Sequence, residues 1–258
     1  MAVRSPISSR SPPHLLLLRR SRGRGIRSLS SLPLEPSKHS LSSRPLVARA
    51  APSGSPSFGS NGASASPISP ASSASSIDFL TLCHRLKTTK RKGWINHGIK
   101  HPESIADHMY RMALMALIAG DIPGIDRERC IKIAIVHDIA EAIVGDITPS
   151  DGVPKAEKSR REQEALDEMC KILGGGLRAD EIQELWAEYE NNSSIEASLV
   201  KDFDKVEMIL QALEYETEHG KILDEFFIST AGKFQTAVGK SWAAEVLSRR
   251  NKRLNELA

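Results

Sequence analysis

Residues 131–144 read Ile-Lys-Ile-Ala-Ile-Val-His-Asp-Ile-Ala-Glu-Ala-Ile-Val. Ile131, Ile135, Ile139 and Ile143 recur every four residues, the spacing that keeps one face of an α-helix apolar. His137 and Asp138 interrupt this run. An imidazole beside a carboxylate inside a packed helix costs several kcal/mol unless the two are paired or bound to a metal. Either group alone is usually a satisfied core hydrogen bond. Glu141 shifts the weighing: it follows His137 by four residues and Asp138 by three, so neighbouring turns of one helix can present all three. Acidic and imidazole groups converging from an apolar helix are what a divalent-cation site requires.

The helical period continues on both sides. Ile105, Met109, Met112, Leu114 and Met115 recur at threes and fours, with Ser104 or Asp107 near the cap of their helix. Asp121 to Gly124 punctuates its end, and Asp126 opens the next. After the turn-rich loop from Gly145 to Gly152, an amphipathic helix runs from Lys155 to Lys171 and is closed by Gly174-Gly-Gly176. Further helices are predicted at Ala179 to Glu190, Ser194 to Glu218 and Ser241 to Leu254. No stretch alternates long enough for a strand, and there is no internal repeat. The fold class is all-α, a helical bundle.

The first 77 residues differ in kind: nine arginines, one lysine, 23 serines and a single acid, Glu35. Taking their net +9 from the chain's +3 leaves −6 for the remaining 181 residues. The basic balance thus belongs to a tail, which disfavours a nucleic-acid-binding body. The body is long enough for one domain that buries roughly 70% of its unfolded surface. Residues 1–76 have too few large apolar side chains to offset the entropy of ordering them, and their composition is that of an organellar transit peptide. The Ser/Ala/Pro-rich half from Ala50 to Ser76 favours a plastid (chloroplast), and the Arg-dense first half leaves a mitochondrion as the alternative. The expected folded domain is therefore 77–258. No apolar run approaches the ~18 residues of a membrane helix. Three cysteines without a CxxC pairing, Cys83, Cys130 and Cys170, argue against a disulfide framework.

A cation needs more ligands than one doublet supplies. His108 offers a second imidazole near the start of the preceding helix, and Asp202 or Asp204 a carboxylate on a later one. Each is weak alone; the order His…His-Asp…Asp is specific. It resembles the signature of the HD phosphohydrolase superfamily. From Asn96 to Lys233 the chain is also closely similar to the HD domain-containing protein 2 family of 5′-deoxynucleotidases. His101–Ala116, Ala134–Ile147, Val153–Leu166, Glu184–Glu190, Met208–Glu216 and Ser229–Phe234 carry that likeness.

The resemblance implies an HD-domain bundle, a homodimer, and His108, His137, Asp138 and Asp204 as metal ligands. Only Asp204 falls in the family's register before Glu207-Met208. Glu141 matches a residue implicated in catalysis or in holding a second cation, which Asp146 and the Ile147 carbonyl can complete. Asp146 also matches a position near the sugar. Arg91 and Trp94, here separated by Lys92-Gly93, resemble an Arg/Trp pair that contacts the nucleotide. Lys155 and Lys158 are candidate phosphate contacts, against a plain reading as a solvated helix face. The His/carboxylate set suits Mn2+, Co2+ or Fe2+, with Mg2+ at an all-oxygen second site.

The expected activity is hydrolysis of deoxyribonucleoside 5′-monophosphates (dAMP, dCMP, dGMP, dTMP) to deoxynucleoside and phosphate, on a small-molecule substrate, with no nucleic acid or membrane as partner. Competing readings are cyclic-nucleotide or alarmone hydrolysis, a di-iron oxygenase needing further histidines, and a non-catalytic scaffold held together by its metal.

Overall fold

The computed structural model describes residues 72–120 and 122–257. They form ten helices: α1 (Ser73–Thr88), α2 (Lys92–Asn96), α3 (Ile105–Ile118), α4 (Arg127–Val136), α5 (Glu141–Val144), α6 (Lys155–Leu173), α7 (Leu177–Asn191), α8 (Ile195–His219), α9 (Asp224–Thr230) and α10 (Ala237–Leu257). A 3-10 turn covers Pro149–Asp151. Among the described residues there is no strand, only an isolated bridge between Lys90 and Ser104. The all-α expectation holds. No helix among them is long and apolar enough to cross a membrane, and all three cysteines are free thiols.

Local chemistry starts and stops these helices where turn and cap residues stand. Ser104 caps α3 by accepting from Asp107 N, and Asp107 returns the bond to the Ser104 backbone, so both residues named for that cap take part in a capping box. Asp126 caps α4, and Ser194 caps α8. Gly174 ends α6 in the left-handed region at φ 97°, where a side chain would be strained.

The organising element is α8, which packs against α3, α4, α7, α9 and α10. Leu199, Val200, Phe203, Val206, Ile209 and Ala212 bury its length, and Ile105, Met112, Ile133, Leu166 and Met169 fill the space around them.

Three expectations need correction. The run 131–144 is not one helix. It winds as α4 to Val136, turns through residues 137–140, and resumes as α5. Ile139 N bonds Val136 O and Glu141 N bonds Asp138 O, three residues back rather than four, so the backbone tightens at the His-Asp doublet. The folded body also begins before residue 77, because Ser72 accepts from Ser75 N and opens α1 four residues earlier. The rest of the expected tail, with its targeting role, lies outside the described residues. Finally, α10 begins at Ala237 rather than Ser241.

The early start of α10 has a local cause. The fully buried Asp202 carboxylate accepts from Gln235 N, Thr236 N and Thr236 Oγ1, while Thr236 Oγ1 accepts from Gly239 N at 3.0 Å. Gly239 is required inside this helix, since any Cβ there would overlap the Asp202 carboxylate.

Candidate metal centre

Three segments deliver the expected residues to one place. His108, in the first turns of α3, is fully buried. His137 and Asp138 sit in the tightened turn between α4 and α5. Across it His137 Nε2 lies 3.2 Å from Asp138 Oδ2. From α8, Asp204 brings Oδ1 to 3.4 Å from His108 Nε2, and Asp138 Oδ2 lies 3.8 Å from the same nitrogen. Asp202, two residues away, faces α10 instead, so of the two aspartates Asp204 is the one at this place.

His108 Nε2, His137 Nε2 and Glu141 Oε2 are buried with no hydrogen-bond partner. Such atoms are rare in folded proteins, and two imidazole nitrogens facing the same carboxylates are what a divalent cation would satisfy. The residues therefore fit the ion. One ligand atom from each of His108, His137 and Asp138 can be drawn within 4.8 Å of the others.

The electrostatics agree. Burial and the Arg91 cation oppose protonation of His108, but the Glu207 and Asp204 carboxylates outweigh them and raise it to about 10. The field that draws a proton there would draw a cation as well. Burial would raise Asp138, yet His137 and Arg91 hold it well below the ordinary carboxylate range. Glu141 goes the other way: burial, then the Asp138 and Asp146 charges, push it well above its usual value.

Above these groups opens a cleft of about 550 Å3, within the size range of small-molecule sites. His137, Asp138, Glu141 and Asp204 line it, with Arg91, Asp146, Ile147 and Lys158 around them. Pairing of residues 89–91 with 103–105 sets Arg91 in position, and its guanidinium lies 3.5 Å from Asp138 Oδ2. Asp146 is held by the Lys92 backbone N–H at 2.6 Å. Lys158 Nζ lies 3.9 Å from Glu141 and 3.3 Å from Glu162.

Two expected contacts fare differently. Lys155 is exposed at the start of α6 and does not line the cleft. Trp94 borders the cleft but is only 2% exposed; it stacks on Phe226 and donates its indole N–H to Glu103 at 2.9 Å. The further body histidines, His84, His97, His101 and His219, join no metal-capable cluster among the described residues.

Sequence reasoning missed three contributors. The buried Tyr189 donates its hydroxyl to Asp204 Oδ2 at 2.8 Å, and its ring packs 4.9 Å from that of His137. Glu207 accepts from His108 Nδ1; burial would raise it, but His108 and Arg111 hold it at about 2. Phe226, on the short α9, walls the cleft beside Trp94. Only Glu207 carried a usable signal, standing three residues after Asp204 on the same helix face.

A helical bundle with His108, the His137-Asp138 doublet and Asp204 around one point defines a class. The HD domain family model matches residues 83–245, and the chain belongs to that family. Among individual proteins, it is 54% identical to 5′-deoxynucleotidase HDDC2 of Danio rerio over 160 residues, 61% of this chain and 79% of that one. It is 49% identical to 5′-deoxynucleotidase hdd1 of Schizosaccharomyces pombe over 180 residues, 68% of this chain and 90% of that one. Among solved structures, the PH0347 protein from Pyrococcus horikoshii OT3 matches with a TM-score of 0.56 and 36% identity, over 68% of this chain and 98% of that one.

Proposed function

We propose that this chain is a metal-dependent 5′-deoxynucleotidase, hydrolysing deoxyribonucleoside 5′-monophosphates to deoxynucleoside and phosphate. The observation that carries it is the pair of unpartnered imidazole nitrogens facing Asp138 and Asp204 beneath a nucleotide-sized cleft with cationic side chains. The two 5′-deoxynucleotidases similar to it support the substrate class.

His108, His137, Asp138 and Asp204 would hold the cation, which would acidify water and offset phosphoryl charge. Arg91 and Lys158 contact the phosphoryl oxygens. Glu141, which lines the cleft beside Asp138, orients the attacking water and takes its proton. Attack is in line with the departing nucleoside 5′-oxygen. The mixed imidazole and carboxylate set favours Mn2+, Co2+ or Fe2+; Glu141, Asp146 and the Ile147 carbonyl supply an all-oxygen second site suited to Mg2+.

The test is phosphate release across dAMP, dCMP, dGMP, dTMP and their ribo counterparts, before and after chelation. Release from the deoxy series should vanish with chelator and return with Mn2+ or Co2+. Turnover of a cyclic nucleotide or an alarmone instead, or of nothing under any metal, would overturn the proposal; the last outcome would favour the scaffold.

Two finer readings accompany it. Family likeness supports a homodimer, for which α3 presents Tyr110, Leu117 and Ile118, all at least half exposed; a monomer by light scattering removes this reading. The composition of residues 1–76 supports plastid import, and a fluorescent fusion of that segment that stays out of plastids removes it.

A further inference from the structure

Glu207 lies one turn beyond Asp204 on α8 and is fully buried. Both its oxygens are engaged: Oε2 with His108 Nδ1 at 2.7 Å, and Oε1 with Arg111 Nε at 2.8 Å. Arg111 stands one turn beyond His108 on α3 and also donates to Glu214 on α8 at 2.7 Å. The two helices are thus crosslinked directly behind the metal residues. An ionised carboxylate can only accept, so Nδ1 is the donor and Nε2 is the nitrogen left to face a cation. His137 is backed differently: its Nδ1 meets the Ala134 backbone carbonyl at 3.0 Å, a neutral acceptor. The same two imidazole ligand types therefore have unequal support. Glu103, His108 and Glu207 also lie close enough to hold an ion, but the bond between His108 Nδ1 and Glu207 already occupies that arrangement.

We propose that Glu207 is a positioning residue of the metal centre: clamped by Arg111, it holds His108 with its Nε2 lone pair toward Asp138 and Asp204 and makes that nitrogen the stronger donor of the two imidazoles. A carboxylate accepting the far N–H of a ligating histidine fixes its tautomer and raises its basicity. The inference rests on the reading of His108 as a ligand. It does not require Glu207 to touch substrate.

The test is Mn2+ titration of the full chain, followed through the spectrum of free Mn2+, beside thermal melts of the metal-free proteins. Glu207→Gln should weaken Mn2+ binding by about 10- to 100-fold. Phosphate release should largely recover at saturating Mn2+. Arg111→Lys, which keeps the charge but not the fork, should give a smaller loss, and it carries the test if Glu207→Gln does not fold. A lower melting temperature with unchanged Mn2+ affinity in the folded variants would make Glu207 merely structural and overturn the proposal. Absence of Mn2+ binding in the wild type would overturn the metal centre itself, and the role of Glu207 with it.

Discussion

Asp138→Ala should abolish phosphate release and lose the bound cation, and His137→Ala should do the same. The expected fall is on the order of a thousandfold or more, since the cation supplies several kcal/mol of charge stabilisation and each 1.4 kcal/mol is a factor of ten. Asp138 faces both imidazoles, 3.2 Å from His137 Nε2 and 3.8 Å from His108 Nε2, so its loss removes the shared centre of the ligand set. Because the residues act through one ion, the double variant should be no worse than either single one. The metal-free Asp138→Ala protein should melt close to metal-free wild type, for that carboxylate lines a cleft, whereas His137→Ala also leaves a cavity among buried rings and should melt lower. Full phosphate release by a metal-stripped Asp138→Ala protein would refute the site.

Arg250→Ala should give the largest loss of stability. The Glu216 carboxylate is fully buried, and Arg250 grips both its oxygens, Nε to Oε2 at 3.0 Å and Nη2 to Oε1 at 2.7 Å. The guanidinium also lies 4.0 Å above the Phe227 ring. Removing it leaves a buried charge with only the Leu223 N–H and the more distant Arg253 as partners. Breaking such a pair costs about 3–5 kcal/mol. For a domain of this size that lowers the melting temperature by on the order of 10 °C. Arg250→Lys should recover little, because an ammonium cannot reproduce the two-pronged geometry. Calorimetry or a thermal melt decides; a shift of a degree or two would show that Arg253 takes over the charge.

The fold class and the meeting of His108, His137, Asp138 and Asp204 at one place are legible in the sequence, for a physical reason. Isoleucines at four-residue spacing and a capping Ser/Asp pair are local signals, and the His…His-Asp…Asp order survives any packing. The break at His137-Asp138 is not legible. Ile139 and Ile143 keep the same spacing through the tightened turn, so an apolar pattern looks continuous although the hydrogen bonds shift from four residues to three. The choice between Asp202 and Asp204 was open to register but not to residue type; packing gives one to α10 and the other to the site. Lys155 and Lys158 are a turn apart on α6, and only the neighbouring Glu141 and Glu162 distinguish the second. Tyr189 lies fifteen residues from Asp204 in sequence, and nothing local announces that its hydroxyl meets that carboxylate. The short α9 is below the length at which periodicity speaks, and Phe226 went unseen with it.

The ion pair between α8 and α10 bears on where the chain can be cut for expression. A fragment trimmed to the family match, residues 83–245, would discard Arg250 and Arg253 together, stranding Glu216, and would sever α1 beyond Phe79 and lose that buried ring. A soluble preparation needs boundaries outside Ser72 and Arg253, however tidy the shorter piece looks on an alignment.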